Sequence, residues 1–324
     1  MIGDKSVVKI SLPTPLVVGN VNVYLIKGDV LTLIDAGVNT EAAWNVFQTQ
    51  LAEMGYRPDD IEQVVLTHHH PDHIGLLARL REDIPVFGHS YCVPWLINDP
   101  NFMRHHDAFY MELFHELGLT NQRKSSDVLK QMKSTLALGS VKPLTNTIAE
   151  GETLPNLDEW KIIETLGHAQ SHLSFYRESD GVLIAGDHIL AHISSNPLLE
   201  PPLQLDKERP KPQLQYRDSL MKLLPIDIHI AYTGHGENVR DIQTLVQQRL
   251  RTQHEKALLV KEMVQREALP ALKICEQLFP TLFRKQMGFT LSATIGLLDY
   301  LQSLEMIDKK LDDFGVAYYA TKSK

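Results

Sequence analysis

Cysteine is scarce in this 324-residue chain: Cys92 and Cys275 stand far apart, with no partner at metal-binding spacing. Two isolated thiols exclude a disulfide framework and suit small buried apolar positions instead. No run of about 18 apolar residues occurs, so a membrane-spanning helix is not expected. The first ten residues, MIGDKSVVKI, carry Asp4, Lys5 and Lys9 where a signal peptide needs an apolar core, and a cytoplasmic location is expected. Internal repeats and low-complexity stretches are missing as well. The prolines of Pro197 to Pro212 mark a loop rather than a linker between independent units.

What is present is ordinary globular material, 43% hydrophobic and 22% charged, at a length that suggests two domains or one with an appendage. The formal net charge of −8 is unevenly spread. Residues 240–324 hold 13 Lys/Arg and 10 Asp/Glu, against 19 and 30 in residues 1–239. An acidic main body offers nucleic acid no electrostatic encouragement, and a small-molecule substrate is the expected partner. Histidine is the unusual residue, with 15 copies.

Short β-branched segments at Val7 to Leu12, Asn22 to Ile26 and Val30 to Ile34 predict an antiparallel start to a sheet. Thr40 to Met54 has Ala43, Val46, Phe47, Leu51 and Met54 on one helical face, with Gly55 as its stop. A buried strand, Ile61 to Leu66, runs into Thr67-His68-His69-His70-Pro71-Asp72-His73, on a loop before a helix around Ile74 to Arg81. Ser90 to Leu138 reads as an inserted helical segment over the site. Strands are expected again at Trp160 to Leu166, Leu173 to Arg177, Val182 to Ala185 and Ile228 to Tyr232. From Asn238 the pattern is helical through Gln265, and a last helical segment, Leu291 to Ile307, ends near Phe314 to Tyr319. This tail suggests a small winged-helix-like appendage that could shape the site or mediate a homodimer.

Within six residues, His-x-His-x-Asp-His supplies four donors of the imidazole and carboxylate kind that zinc prefers. His68 and His70 share a side if the backbone stays extended, and His69 points away as a packed or supporting residue. Asp72 and His73, past the turn at Pro71, are placed to face a second ion. His168 after Gly167 and His235 after Gly234 add imidazoles at strand ends, where the glycines let the backbone approach closely. Asp187, closing Ala185-Gly186-Asp187, has two oxygens and one charge to share between two dications.

These segments, Thr67 to His73, Gly167-His168-Ala169-Gln170-Ser171-His172, Ala185-Gly186-Asp187 and Gly234-His235-Gly236, with Ile34-Asp35-Ala36-Gly37 upstream, resemble the ordered motifs of the metallo-β-lactamase superfamily. The resemblance covers about residues 7 to 239 and implies an α/β fold, a four-layer αββα sandwich with the site at one edge. It further implies that His68, His70 and His168 hold one ion, that Asp72, His73 and His235 hold the other, and that Asp187 bridges them. Asp35 is carried over only as a supporting residue. Two departures stand out: Ala-Gln-Ser follows His168, and 95 residues separate His73 from His168. The expected organisation is a catalytic domain over residues 1–239, with a helical insertion at about 90–138, and a helical or winged-helix-like domain over 240–324.

The expected chemistry is hydrolysis. A hydroxide held by two divalent ions, zinc first and manganese or iron as alternatives, attacks a small ester, thioester or lactone, as in glyoxalase II-like hydrolases. Asp72 is the candidate catalytic residue, orienting that hydroxide. The competing readings are a mono-iron persulfide dioxygenase and a metal-dependent nuclease or phosphodiesterase. Ser171 beside His172 and Ser194-Ser195 near His192 lack the Gly-x-Ser-x-Gly setting of a nucleophile. His172, His188 and His192 are candidates for leaving-group contacts, and Phe109, Tyr110 and Phe114 for an apolar pocket, though a packed role is the simpler expectation for each.

Overall fold

In the computed structural model, which describes residues 6–204 and 207–322, alternating residues of each strand feed two different layers. Asp4 and Lys5, and two positions of the Pro197 to Pro212 loop, lie outside the described residues. The first sheet runs in chain order: β1 (Val7–Leu12), β2 (Val21–Ile26), β3 (Thr32–Ile34), β4 (Gln63–Val65), β5 (Val86–Gly88) and β6 (Asn146–Thr147). β1, β2 and β3 pair antiparallel, as expected, and β3 through β6 pair parallel. Along β2, Val21, Val23 and Leu25 face helix α1 (Glu41–Glu53), packing with its Ala43, Phe47 and Leu51. Tyr24 and Ile26 face the opposite way.

The second sheet has the order β11, β10, β9, β8, β7, formed by β7 (Thr153–Leu154), β8 (Leu157–Glu164), β9 (Leu173–Arg177), β10 (Val182–Gly186) and β11 (Ile230–Thr233). Trp160, Ile162, Phe175 and Ile184 pack on Tyr24, Ile26, Ile34 and Val65 between the sheets. Leu183 and Ala185 point outward to Tyr216, Leu220 and Leu223 of α6 (Pro212–Leu223) and to Ile242 and Val246 of α7 (Ile242–Arg266). The result is the expected αββα layering, because central strands such as β2, β4, β9 and β10 are buried on both faces and each face needs a cover.

The insertion, α3 (Val93–Leu96), α4 (Pro100–Glu116) and α5 (Gln122–Leu136), does not form a separate cap. Its Tyr110, Leu113, Phe114 and Leu117 share one core with Ala257, Val260 and Val264 of α7, Ile274 of α8 (Ala271–Leu278), and Ile295 and Leu298 of α9 (Met287–Ser303). The tail closes with a three-stranded antiparallel sheet, β12 (Leu269–Pro270), β14 (Ala317–Thr321) and β13 (Ile307–Leu311) in that order. Its chain order is helix, strand, helix, helix, strand, strand. α7 spans both parts, with its first turns on the sandwich and its last on the second core.

Two local expectations shift. The helix after the histidine cluster, α2 (Pro71–Ile74), starts three residues before Ile74, so Asp72 and His73 lie in its single turn; Pro71 takes the first helical position, where a missing N–H costs nothing. α6 begins at Pro212 for the same reason, directly after the proline-rich loop. Among the described residues no helix is long and apolar enough to cross a membrane.

Candidate metal centre

The two sheets deliver their histidines to one edge. His68 to His73 leave the end of β4, while His168, Asp187 and His235 follow β8, β10 and β11. Glycines permit the approach. Gly167 has φ +126°, and a Cβ there would sit 2.5 Å from the Tyr216 backbone; one on Gly234 would sit 2.0 Å from Asp187 Oδ1.

All seven residues singled out from the motifs come together. One ring nitrogen each from His68, His70 and His168 lies within 4.8 Å of the other two, and the donor atoms of Asp72, His73 and His235 are as close. Asp187 touches both trios: Oδ1 is 3.5 Å from His73 Nε2, and Oδ2 is 3.4 Å from Nε2 of both His168 and His235. Asp72 Oδ2 lies 3.3 Å from His235 Nε2.

The outer nitrogens are tied down. Asp35, held at φ +62°, accepts from Thr67 N (2.7 Å) and Thr67 Oγ1 (2.7 Å), and its Oδ2 accepts from His73 Nδ1 (2.8 Å). Since the one Thr67 hydroxyl proton goes to Asp35, Thr67 Oγ1 accepts from His68 Nδ1 at 2.9 Å. His168 Nδ1 donates to Asn196 O (3.0 Å) and His235 Nδ1 to Asn20 O (2.7 Å). With Nδ1 engaged outward on these four rings, Nε2 is the nitrogen each of them turns toward the centre.

Electrostatics differ between the two halves. Burial depresses the pKa of His68 strongly, that of His70 to about 4 and that of His168 to about 3, which keeps their lone pairs free. Burial also works against charge on His73 and His235, but Asp187 and Asp72, joined by Asp35 at His73, outweigh it. His73 is held well above the usual value and His235 at about 10. Asp187 and Asp72 are correspondingly lowered: burial opposes their charge, and His73 and His235 overcome it.

The remaining candidates take supporting or remote places. His172 accepts from the Asp187 backbone N–H at Nε2 (3.1 Å) and donates from Nδ1 to Thr165 Oγ1, so it positions Asp187 and has no lone pair to spare. His188 is buried against Tyr216, and His192 is exposed. Ser171 bonds His69, Ser195 bonds His168 Nδ1, and Ser194 is exposed. Tyr110 and Phe114 are core residues, with Phe109 packed against them. His69 belongs to neither trio: its ring nitrogens face Ser171 and Glu200, and it stacks on Trp95 at 4.5 Å. Sequence reading missed Glu200, a buried carboxyl whose Oε1 lies 3.6 Å from His69 Nε2 and 3.8 Å from His70 Nε2. Burial raises its pKa to about 8. No spacing rule ties a lone acid in Leu-Leu-Glu-Pro-Pro to motifs this distant.

The donor set fits divalent metal ions. Nε2 of His68, His73 and His168 and Oδ1 of Asp187 are buried without a hydrogen-bond partner among the described residues, an arrangement that costs free energy unless an ion completes it. Comparison with known proteins agrees. The chain is 40% identical over 303 residues to the Bacillus subtilis protein named "Probable metallo-hydrolase YqjP", covering 94% of each. It is 25% identical over 251 residues to the atrochrysone carboxyl ACP thioesterase of Aspergillus fumigatus, covering 76% of this chain and 61% of that one. Its fold matches the metallo-beta-lactamase family protein TTHA1429 of Thermus thermophilus at a TM-score of 0.80 and 24% identity, over 98% of this chain and 99% of that one. A sequence profile of the metallo-beta-lactamase superfamily matches residues 16–235, and with this site at the edge of an αββα sandwich, the chain belongs to that superfamily of metal-binding hydrolases.

Proposed function

We propose that the chain is a dinuclear metal-dependent hydrolase, with zinc the first choice of ion, that cleaves a small ester, thioester or lactone. One observation carries this reading: two complete trios of donors share one carboxylate, Asp187, and Nε2 of His68, His73 and His168 and Oδ1 of Asp187 are buried without a hydrogen-bond partner among the described residues. His68, His70 and His168 would hold one ion and Asp72, His73 and His235 the other. Manganese and iron accept the same nitrogen and oxygen donors. Such ions supply a Lewis acid for the scissile oxygen and lower the pKa of water from about 15.7 to about 7.

The chain's own residues then orient the reaction. Asp72 directs one oxygen to His235, and the other is left to accept a hydrogen bond from the attacking water and aim it. His70 and His168, with side chains 15% and 11% exposed, are the most open of the five histidines and mark the side from which substrate enters.

The thioesterase relative supports an acyl thioester as first substrate. A small-molecule substrate also suits the tail. We read its element order as a winged helix, yet its α9 has ten buried residues, including Leu291, Ile295 and Leu298, and is packed among its neighbours. A helix so covered has no face to place in a nucleic-acid groove. A cytoplasmic setting accords with two free, buried cysteines. The fully furnished second trio speaks for hydrolysis over a mono-iron dioxygenase, which needs only a subset of the histidines.

The test is a panel of acyl thioesters, lactones and single-stranded RNA with and without chelator. Chelator-sensitive hydrolysis of a thioester or lactone is expected. Cleavage of RNA alone, or oxidation of a persulfide by protein holding one iron, would overturn the reading.

A further inference from the structure

Glu200 lies behind the metal centre, in a strap of chain with an unusual number of ties. Ser195 Oγ and Asn196 O both contact His168 Nδ1, at 2.8 and 3.0 Å. Ser292 of α9 accepts from Leu199 N (2.8 Å) and donates to Pro197 O (2.7 Å), while Asn196 Nδ2 donates to Phe289 O (3.1 Å). The tail thus holds the stretch that leads into Glu200.

The Glu200 carboxyl is 4% exposed, and its two oxygens face different partners. Oε2 accepts from Gln170 N at 3.1 Å. Oε1 has no hydrogen-bond partner among the described residues, and only the Nε2 atoms of His69 and His70 lie within ion-pair reach of it. Ser171 Oγ accepts from His69 N and lies 2.7 Å from His69 Nδ1, which leaves Nε2 as the ring nitrogen of His69 that faces Glu200. Gln170 and Ser171 belong to the Ala-Gln-Ser that follows His168.

His70 is the exception among the five histidines. The other four have Nδ1 bonded and Nε2 inward. In His70 it is Nε2 that faces a carboxyl, so Nδ1 is the nitrogen left for an ion.

We propose that Glu200 is a positioning residue that accepts the Nε2 proton of His70, turning Nδ1 of that ring into the ligand, and that Ser292 anchors it from the C-terminal unit. This rests on the dinuclear reading above. A buried carboxyl oxygen facing one ring nitrogen, as Glu200 Oε1 faces His70 Nε2, fixes a tautomer and a ring orientation together, which is how outer partners raise metal affinity.

Glu200→Ala, Glu200→Gln, Ser292→Ala and the unchanged protein are stripped of metal, checked for fold by circular dichroism, and titrated with zinc against a chromophoric competing chelator. Glu200→Ala is expected to keep a capacity of two ions but to bind one of them about 10- to 100-fold more weakly. Glu200→Gln, which retains one acceptor, falls between it and the unchanged protein, and Ser292→Ala shows a smaller loss on the same ion. If Glu200→Ala does not fold, the other two variants carry the test. Titrations that superimpose on the unchanged protein overturn the proposal, and so does a third ion that only Glu200-containing protein binds. An unchanged protein that takes no ion sinks the dinuclear reading itself, whereas two ions without hydrolysis of any panel substrate sinks only the substrate assignment.

Discussion

Asp35 Oδ2 accepts the Nδ1 proton of His73 at 2.8 Å while the same carboxylate holds Thr67 through two further hydrogen bonds. A single side chain in the left-handed region at the end of β3 therefore sets the tautomer of His73 and, through Thr67 Oγ1, that of His68. Those rings belong to different trios. Asp35→Ala is expected to weaken both ions, by about 10- to 100-fold. It should also cost about 1–3 kcal/mol of stability, because the buried Thr67 N–H loses its acceptor. Zinc titration and urea denaturation of the variant measure the two effects, and unchanged affinity would count against the assignment.

Asp72 carries a different expectation. Its substitution by alanine should lower turnover by about 100-fold or more, the cost of a nucleophile that is no longer aimed. Denaturation midpoints should move far less. A variant that holds its full complement of metal and turns over at the original rate refutes the role.

Gly234 tests the closeness of β11 to the bridging carboxylate. An alanine there places Cβ 2.0 Å from Asp187 Oδ1 and 3.0 Å from His73 Cε1, so Asp187 has to leave its position between the trios. The expected result is protein that folds but loses about tenfold or more in affinity for at least one ion. Isothermal titration reads this directly, and wild-type affinity would show that Asp187 does not need its present place.

The C-terminal unit is expected to be inseparable from the rest. Removing residues 240–324 strips Val260, Ile274, Ile295 and Leu298 from the core they share with Tyr110, Leu113 and Phe114. It also removes Ser292 from the strap beside His168. The truncated chain should aggregate or bind an apolar dye, a result checked by size-exclusion chromatography. A monodisperse product that binds two ions would make 1–239 an independent domain.

The candidate metal ligands were legible in the sequence because four of the seven fall within six residues and the other three follow glycines at strand ends. Strands bounded by turn residues, such as Leu173–Arg177, were equally readable. Short ones were not: Val86–Gly88 and Asn146–Thr147 exist because a neighbouring strand lends them hydrogen bonds, not because their residues favour them. The start of α6 hid behind the prolines of the preceding loop. Glu200 and Ser292 were invisible for a related reason, since what makes each of them matter is a contact with a residue 30 or more positions away. The fusion of insertion and tail into one core is the same kind of fact at larger scale.

The central claim is that two divalent ions sit between the trios, and elemental analysis of protein purified without added metal tests it most directly. Two equivalents of zinc, manganese or iron per chain, lost to chelator together with activity, is the predicted result. A chain that carries no metal, or one ion with Asp72, His73 and His235 vacant after zinc is supplied in excess, would contradict it.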